Sequence, residues 1–249
     1  MKRERENMKT LQELVDSHER IVFFGGAGVS TESGIPDYRS RDGIYSRGYT
    51  LPAETLLSHT YFMQHTQEFY DFYRDVMVHP QAKPNAAHTA LAKLEEAGRL
   101  LSVVTQNIDG LHRAAGSKRV HRLHGCVYEN YCMDCGKSYP LSAILQTKGV
   151  PKCDCGGVIR PNVVLYEESL DERTLREAVE DLSRADMLIV GGTSLNVYPA
   201  AGLLSYFQGD AVVVINLQPT AFDRKADLVL TQPIAQTLGA LSIHPVAGK

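Results

Sequence analysis

The chain has 249 residues, 43% of them hydrophobic and 22% charged, with a net charge of −3 and five cysteines. That length buries a sizeable core as one α/β domain or two small ones, and the charge balance offers no basic surface for nucleic acid or a membrane. The charged residues 2–6 precede no apolar signal segment and no run of 18 apolar residues occurs, so a cytoplasmic protein without a membrane span is expected.

Short apolar runs alternating with helical patterns predict a mostly parallel sheet covered on both faces. A helix over 11–18 leads into a strand over 21–24, Ile21-Val22-Phe23-Phe24, which runs directly into Gly26-Ala27-Gly28-Val29-Ser30. A glycine-rich turn after a strand lets backbone N–H groups approach a pyrophosphate. Thr31 stands where the third glycine of G-x-G-x-x-G would be, so the bare pattern reads equally as an ordinary tight turn. Residues 58–78 carry Tyr61, Phe62, Phe69, Tyr70, Phe72 and Tyr73 and read as helical. They interrupt the alternation, as do residues 126–159, and both are expected to be insertions forming a smaller lobe. A helix over 86–97 stops at Gly98, followed by a strand over 101–105. Further strands are expected at 162–166, 187–190, 211–215 and 228–231. Helices are expected at 171–184, capped near Ser169 or Asp171, and at 200–206.

Four cysteines fall in two close pairs, Cys132-x-x-Cys135 and Cys153-x-Cys155, separated by 17 residues. Four soft ligands suit tetrahedral, structural zinc in a reducing compartment, against the alternative of four separate buried cysteines. The C-x-C spacing of the second pair is the less usual one. Cys126 lies outside both pairs and reads as a small packed residue. After the strand at 101–105 comes Thr105-Gln106-Asn107-Ile108-Asp109-Gly110-Leu111-His112. Polar side chains at the end of a parallel strand face the ligand crevice of an open sheet, although a polar loop capping a helix would read the same way.

Gly26-Ala27-Gly28-Val29-Ser30 followed by Ser33-Gly34-Ile35-Pro36-Asp37-Tyr38-Arg39 resembles the opening signature of the sirtuin family, with Tyr38 for its usual Phe and Gly25 where many members have Thr. Residues 105–112 match the family's T-Q-N-I-D-G-L-H motif without a substitution. His124-Gly125 stands at its H-G pair, and Arg160-Pro161-Asn162-Val163-Val164-Leu165-Tyr166-Glu167-Glu168 is similar to R-P-x-V-V-x-F-G-E, with Glu167 in place of Gly. Gly191-Gly192-Thr193-Ser194-Leu195 and Asn216 also match family positions. The resemblance covers roughly residues 10–240 in six motifs.

What the resemblance implies is a single catalytic unit over 1–249, a Rossmann-like parallel sheet with a small lobe. The dinucleotide domain would come from 9–45, 85–125 and 160–245, with a helical insertion at 46–84 and a zinc-ribbon insertion at 126–159. It implies NAD contacts from Gly26, Ala27, Gly28, Thr31, Tyr38, Arg39, Gln106, Ile108 and Asp109, and from Gly192, Thr193, Ser194, Asn216 and Ile234. Asn107 would lie beside the site of attack and His124 would be the general base. The imidazole suits that task because its ordinary pKa is near working pH. A substrate peptide would add as a strand between residues 163–166 and 194–197, with Val163, Leu165, Tyr166 and Val197 as contacts. The activity implied is NAD-dependent removal of acyl groups from protein lysines, giving nicotinamide, O-acyl-ADP-ribose and lysine. A mono-ADP-ribosyltransferase and a non-catalytic NAD-sensing or zinc-ribbon module are the alternatives.

Relatives that prefer succinyl or malonyl lysine resemble one another in a Tyr-x-x-Arg pair in the helical insertion. Here Tyr70 aligns with the tyrosine and Tyr73 with the arginine, while Arg74 falls one residue late, about 100° round a helix. An uncharged acyl pocket lined by Tyr70, Tyr73 and Val163 is expected, against the alternative that both tyrosines are plain core aromatics.

Overall fold

The computed structural model describes residues 10–37, 43 and 51–246. Helix α1 (Leu11–Ser17) and strand β1 (Ile21–Gly25) are followed by two 3-10 turns, Ala27–Val29 and Thr31–Ser33. A helical stretch comes next: α2 (Ala53–Leu56), α3 (His59–Gln64) and α4 (Thr66–Phe72), ending in a π-turn at Tyr73–Met77. Then come α5 (Ala86–Glu96), β2 (Leu100–Thr105), α6 (Leu111–Ala114), β3 (Val120–Arg122), β4 (Gly125–Cys132), β5 (Ser138–Pro140), α7 (Leu141–Leu145) and β6 (Ile159–Val163). The last third is α8 (Glu172–Arg184), β7 (Met187–Gly191), a 3-10 segment (Ala200–Tyr206), β8 (Ala211–Ile215), β9 (Leu228–Leu230) and α9 (Ile234–Gly239). No helix among the described residues is long and apolar enough to cross a membrane.

Among the described residues, six strands pair in parallel in the order β3-β2-β1-β7-β8-β9. Every residue of β1, β7 and β8 is buried, as befits strands covered on both faces. Phe23, Ile189 and Val213 pack with residues of α1, α5 and α9, and Val22, Leu188 and Val214 with residues of α8 and the 3-10 segment. Asp171 caps α8 by accepting from Thr174 N–H at 2.7 Å. The edge strand β3 is anchored by Asp181 of α8, which accepts from Arg119 Nε at 2.6 Å and lies 2.7 Å from His121 Nε2. Burial alone would raise the Asp181 pKa, but hydrogen bonds from His121 and Arg119 outweigh it and bring it down to about 2.

The small lobe is an antiparallel sheet, β5-β4-β6, packed against the helical stretch. The strand expected at 162–166 forms instead at Ile159–Val163 and belongs to this sheet, not to the parallel one. Its inward positions are Ile159, Pro161 and Val163, a period of two. Residues beyond it bond singly to other segments: Val164 N–H donates to the His124 carbonyl and Tyr166 N–H to that of Leu57. The helix expected over 58–78 breaks at His65, whose φ of −129° and ψ of 45° are not helical. The Thr66 hydroxyl donates back to the Phe62 carbonyl at 2.8 Å, a local bond that competes with the backbone ladder. Phe62, Phe69 and Tyr73 share one core with Cys132, Ile144 and Ile159, and the Tyr70 hydroxyl donates to the Ile159 carbonyl. The helical stretch and the small sheet therefore form one hydrophobic body.

The thiol sulfurs of Cys132, Cys135, Cys153 and Cys155 all lie within 4.8 Å of one another. Cys132–Cys155 is 3.5 Å and Cys135–Cys153 3.6 Å. Zinc–sulfur bonds of about 2.3 Å in a tetrahedron need sulfurs roughly 3.8 Å apart, so the C-x-C pair completes the cage with little adjustment. Cys126 stays outside it, buried on β4. Behind the sheet end, the rings of His88 (α5) and His112 (α6) meet at 4.7 Å. His88 Nδ1 lies 3.0 Å from Asn85 Oδ1, while His88 Nε2 and both His112 nitrogens have no hydrogen-bond partner among the described residues. Burial, with help from neighbouring His88, drives the His112 pKa down to about 3, and burial also lowers that of His88.

Two outcomes are expected. The protein should carry one zinc per chain, and chelation should lower its Tm because a structural site contributes folding energy. Metal analysis without stoichiometric zinc, or with zinc unchanged in a Cys132→Ser/Cys153→Ser variant, would remove this expectation. The depressed histidine pKa values mean that the unfolded chain binds more protons below about pH 6.5, so stability present above that pH is lost as it falls toward 3. His112 alone accounts for about 2 kcal/mol between pH 7.5 and pH 5. Urea unfolding at the two pH values should register that loss, and His112→Gln should shrink it.

Candidate active site

The strand order reverses between β1 and β7, and a cleft of about 970 Å³ opens at the carboxyl ends of these strands. Its floor is two glycine loops in contact. Gly26 N–H donates to the Gly191 carbonyl at 3.3 Å and Gly28 N–H to that of Gly192 at 2.8 Å. A Cβ on Gly28 would fall 2.8 Å from Gly192 Cα, and one on Gly192, whose φ is +58°, would fall 2.4 Å from Val29 N. Neither position tolerates a side chain. Gly26, Ala27, Gly28 and Thr31 line the cleft on one side, and Gly192, Thr193 and Ser194 on the other. Asn216, just past β8, and Ile234, the first residue of α9, extend it. The expected site residues Tyr38 and Arg39 lie outside the described residues.

Gln106, Asn107, Ile108 and Asp109 leave β2 and line the same cleft. Gln106 Nε2 donates to Thr193 Oγ1 at 3.1 Å, tying this segment to the glycine loops. Ser30, 1% exposed, joins two of the expected site residues. Its hydroxyl donates to Asp109 Oδ2 at 2.6 Å and accepts from Asn107 Nδ2 at 3.1 Å. Ser30 was not among the expected site residues, although its place inside Gly26-Ala27-Gly28-Val29-Ser30 was the available signal. Asn85 was missed as well: it caps α5 and donates from Nδ2 to the Val29 carbonyl at 2.8 Å and to Ser33 Oγ at 3.0 Å.

His124 lies between β3 and β4, with Nδ1 2.9 Å from the Gln106 carbonyl. A carbonyl only accepts, so Nδ1 carries the proton and the neutral ring keeps a lone pair on Nε2. Burial lowers the His124 pKa from 6.5, and the bond to Gln106 opposes this only in part. The ring is therefore neutral at pH 7 and able to accept a proton.

The remaining wall is formed by Val163, Leu165, Tyr166 and Val197, with Tyr73 and Val76 from the helical stretch. Glu168 fixes the turn after Tyr166. It pairs with Arg160 at 2.5 Å, accepts from Leu165 N–H at 2.9 Å, and lies 2.8 Å from His59 Nδ1. Tyr70, expected beside the acyl group, does not line the cleft; its fully buried ring points into the ribbon core, where the Ile159 carbonyl takes its hydroxyl. Arg74 also turns to the ribbon, donating from Nε to the Ile144 carbonyl at 3.0 Å and from Nη2 to that of Gly149. The part of the wall beside the helical stretch thus offers mainly aromatic and aliphatic carbon, with Arg74 turned away from it.

The site combines a backbone turn able to approach a pyrophosphate, strand-end amides and hydroxyls, and a proton acceptor beside an apolar wall. The sequence model of the Sir2 family matches residues 26–199. A Clostridium acetobutylicum protein named NAD-dependent protein deacetylase is 53% identical over 237 residues, covering 94% of this chain and 97% of that one. One of the same name from Cutibacterium acnes is 54% identical over 233 residues, covering 93% and 96%. A Sir2 structure with a p53 peptide and NAD⁺ superposes with a TM-score of 0.81 at 43% identity, covering 93% and 95%. Another, with a deacetylated p53 peptide and 3′-O-acetyl-ADP-ribose, gives 0.85 at 42% identity, covering 93% and 96%. With a family model matching most of its length and relatives above 50% identity along nearly all of it, the chain belongs to the Sir2 family.

Proposed function

We propose that this chain is an NAD-dependent protein-lysine deacetylase that releases nicotinamide, O-acetyl-ADP-ribose and free lysine. The observation that carries the reading is the neutral His124, held by the Gln106 carbonyl at the switch-point cleft with a lone pair on Nε2. The names of the relatives and the ligands of the Sir2 structures support it. NAD is the co-substrate that supplies the activated ribose carbon and the final acyl acceptor.

This chain's residues bind, orient and move a proton. The Gly26–Ser30 turn takes the pyrophosphate, with Thr31, Thr193 and Ser194 alongside, and Asn216 and Ile234 take the adenosine end. Asp109 and Ile108 hold the carboxamide, Gln106 the ribose, and Asn107 sits at the reacting carbon. The Ser30 hydroxyl fixes Asn107 and Asp109 relative to each other, so that two groups keep one geometry. Once nicotinamide has left and the acyl oxygen has bonded to the ribose carbon, His124 Nε2 would take a proton from a ribose hydroxyl, whose oxygen would then bond to the acyl carbon. The lysine nitrogen would leave as the amine, and one water would complete the acetyl ester. The peptide lies extended against Val163–Tyr166 and Val197, its acyl group on Val163 and Tyr73. Walls of carbon keep water from the activated sugar. The division into a dinucleotide domain and two insertions follows the same reading.

Purified protein, NAD and an acetyl-lysine peptide should yield nicotinamide, O-acetyl-ADP-ribose and deacetylated peptide in equal amounts. Nicotinamide release with ADP-ribosylated protein and no O-acetyl-ADP-ribose would instead identify a mono-ADP-ribosyltransferase. His124→Ala should lower turnover by about 10²–10⁴-fold while NAD still binds, and near-normal turnover would exclude the role assigned to His124. In the wild type, the acid limb of kcat/KM should lie below pH 6.5, because burial holds the His124 pKa down and only the neutral ring accepts a proton.

Acyl choice follows from the placement of Arg74 in the ribbon. A succinyl carboxylate brought against Tyr73 and Val76 meets no cation from that helix and carries a desolvation cost. On one peptide, succinyl-lysine should be at least about tenfold poorer than acetyl-lysine in kcat/KM, roughly 1.4 kcal/mol. Equal efficiency on the two would overturn this.

A further inference from the structure

Among the described residues, only Glu167 and Leu195 combine a side chain with a positive φ, +76° and +56°. Leu195 stands on one of the two segments assigned above to the peptide, and Glu167 directly follows the other. Left-handed backbone is disfavoured by any Cβ. The backbone there asks for no side chain, yet the chain supplies a carboxylate.

That carboxylate is held in place. Glu167 Oε2 accepts from Thr60 N–H at 2.9 Å and from the Thr60 hydroxyl at 2.7 Å, at the start of α3. These two bonds lower its pKa below the usual carboxylate range, so it is ionised throughout working pH. Among the described residues no hydrogen bond reaches Oε1 and no Lys, Arg or His nitrogen lies within 4.0 Å of the carboxylate, with His59 the nearby basic group that acts on it electrostatically. Its neighbour Glu168 differs on both counts, pairing with Arg160 and lying 2.8 Å from His59 Nδ1. Glu167 is exposed and lines the cleft. The peptide wall thus presents one fixed negative charge with half its acceptor capacity unused.

We infer that Glu167 is a specificity-determining residue that reads a lysine or arginine side chain close to the acyl-lysine in the substrate peptide. The inference rests on the deacetylase reading. Glu167 and Val163, which takes the acyl group, line the same cleft, so a long basic side chain within a few positions of the acyl-lysine comes within reach of the carboxylate. The contact is exposed, so its effect is modest, salt-sensitive and expressed in binding more than in turnover.

The test uses the full-length protein and acetyl-lysine peptides in which Arg, Gln or Glu is placed in turn at each of the three positions on either side. At one position or more, Arg should raise kcat/KM roughly threefold to fivefold over Gln through KM, and high salt should erase the difference. Glu167→Gln keeps the backbone and the bonds to Thr60 and should bring the Arg and Gln peptides together. Glu167→Lys should reverse the preference toward the Glu peptide. Equal use of Arg and Gln peptides by the wild type at every position, or an Arg preference that survives in Glu167→Gln, would overturn the inference while leaving the deacetylase reading standing. Turnover of no acetylated peptide would overturn both.

Discussion

The contact between Gly28 and Gly192 is the constraint on which the rest of the site depends. The two loops leave the buried strands β1 and β7 side by side, in register from Ile21 opposite Met187 to Gly25 opposite Gly191. They touch because neither carries a Cβ at the crossing. Their approach sets the floor of the cleft and lets Gln106 reach Thr193 from the next strand. The same Gln106 offers its carbonyl to His124. One residue thus bonds to the glycine loop through its side chain and to the imidazole through its backbone. A displacement of the glycine floor would be felt at His124 through two hydrogen bonds.

Residues 163–168 play the corresponding part between the lobes. Val163 ends the small sheet, Val164 N–H reaches the His124 carbonyl, and Tyr166 bonds in both directions with the start of the helical stretch. Arg160 and Glu168 close this turn with a partly buried pair, for which removing either partner costs more than forming the pair contributes. The apolar wall is therefore fixed from the parallel sheet, the ribbon and the helices at once. That accounts for a wall that stays extended without belonging to a long strand.

The strands β1, β2, β7 and β8 were legible because each is an apolar run ended by glycine or polar residues, and burial on both faces demands that composition. The Sir2 motifs placed most site residues on the ends of those strands. The small sheet was not legible. Its register slips between Cys126 and Asn130, so no alternation survives in β4, and β5 is three residues long. Strand β3 was hidden because His121 and Arg119 look like surface residues until Asp181 arrives from α8. Tyr70 and Tyr73 show the limit of helical spacing. Their i, i+3 relation placed them on one face, but the π-turn starting at Tyr73 changes the phase. Ser30 and Asn85 act through partners distant in the chain, information that no local pattern carries.

The shared core of the small lobe bears on how the chain is made. Its helical half precedes α5, β2 and β3, and its ribbon half follows them. During synthesis the aromatic faces of α3 and α4 emerge well before β6, which completes their covering. Between Met77, the end of the helical stretch, and Val163, the end of β6, lie 86 positions of chain, or about 4–17 s at ribosomal rates of about 5–20 residues per second. Through that interval Phe62, Phe69, Tyr70 and Tyr73 have no β6 to pack against, and this aromatic segment waits on later-made chain to be shielded from water.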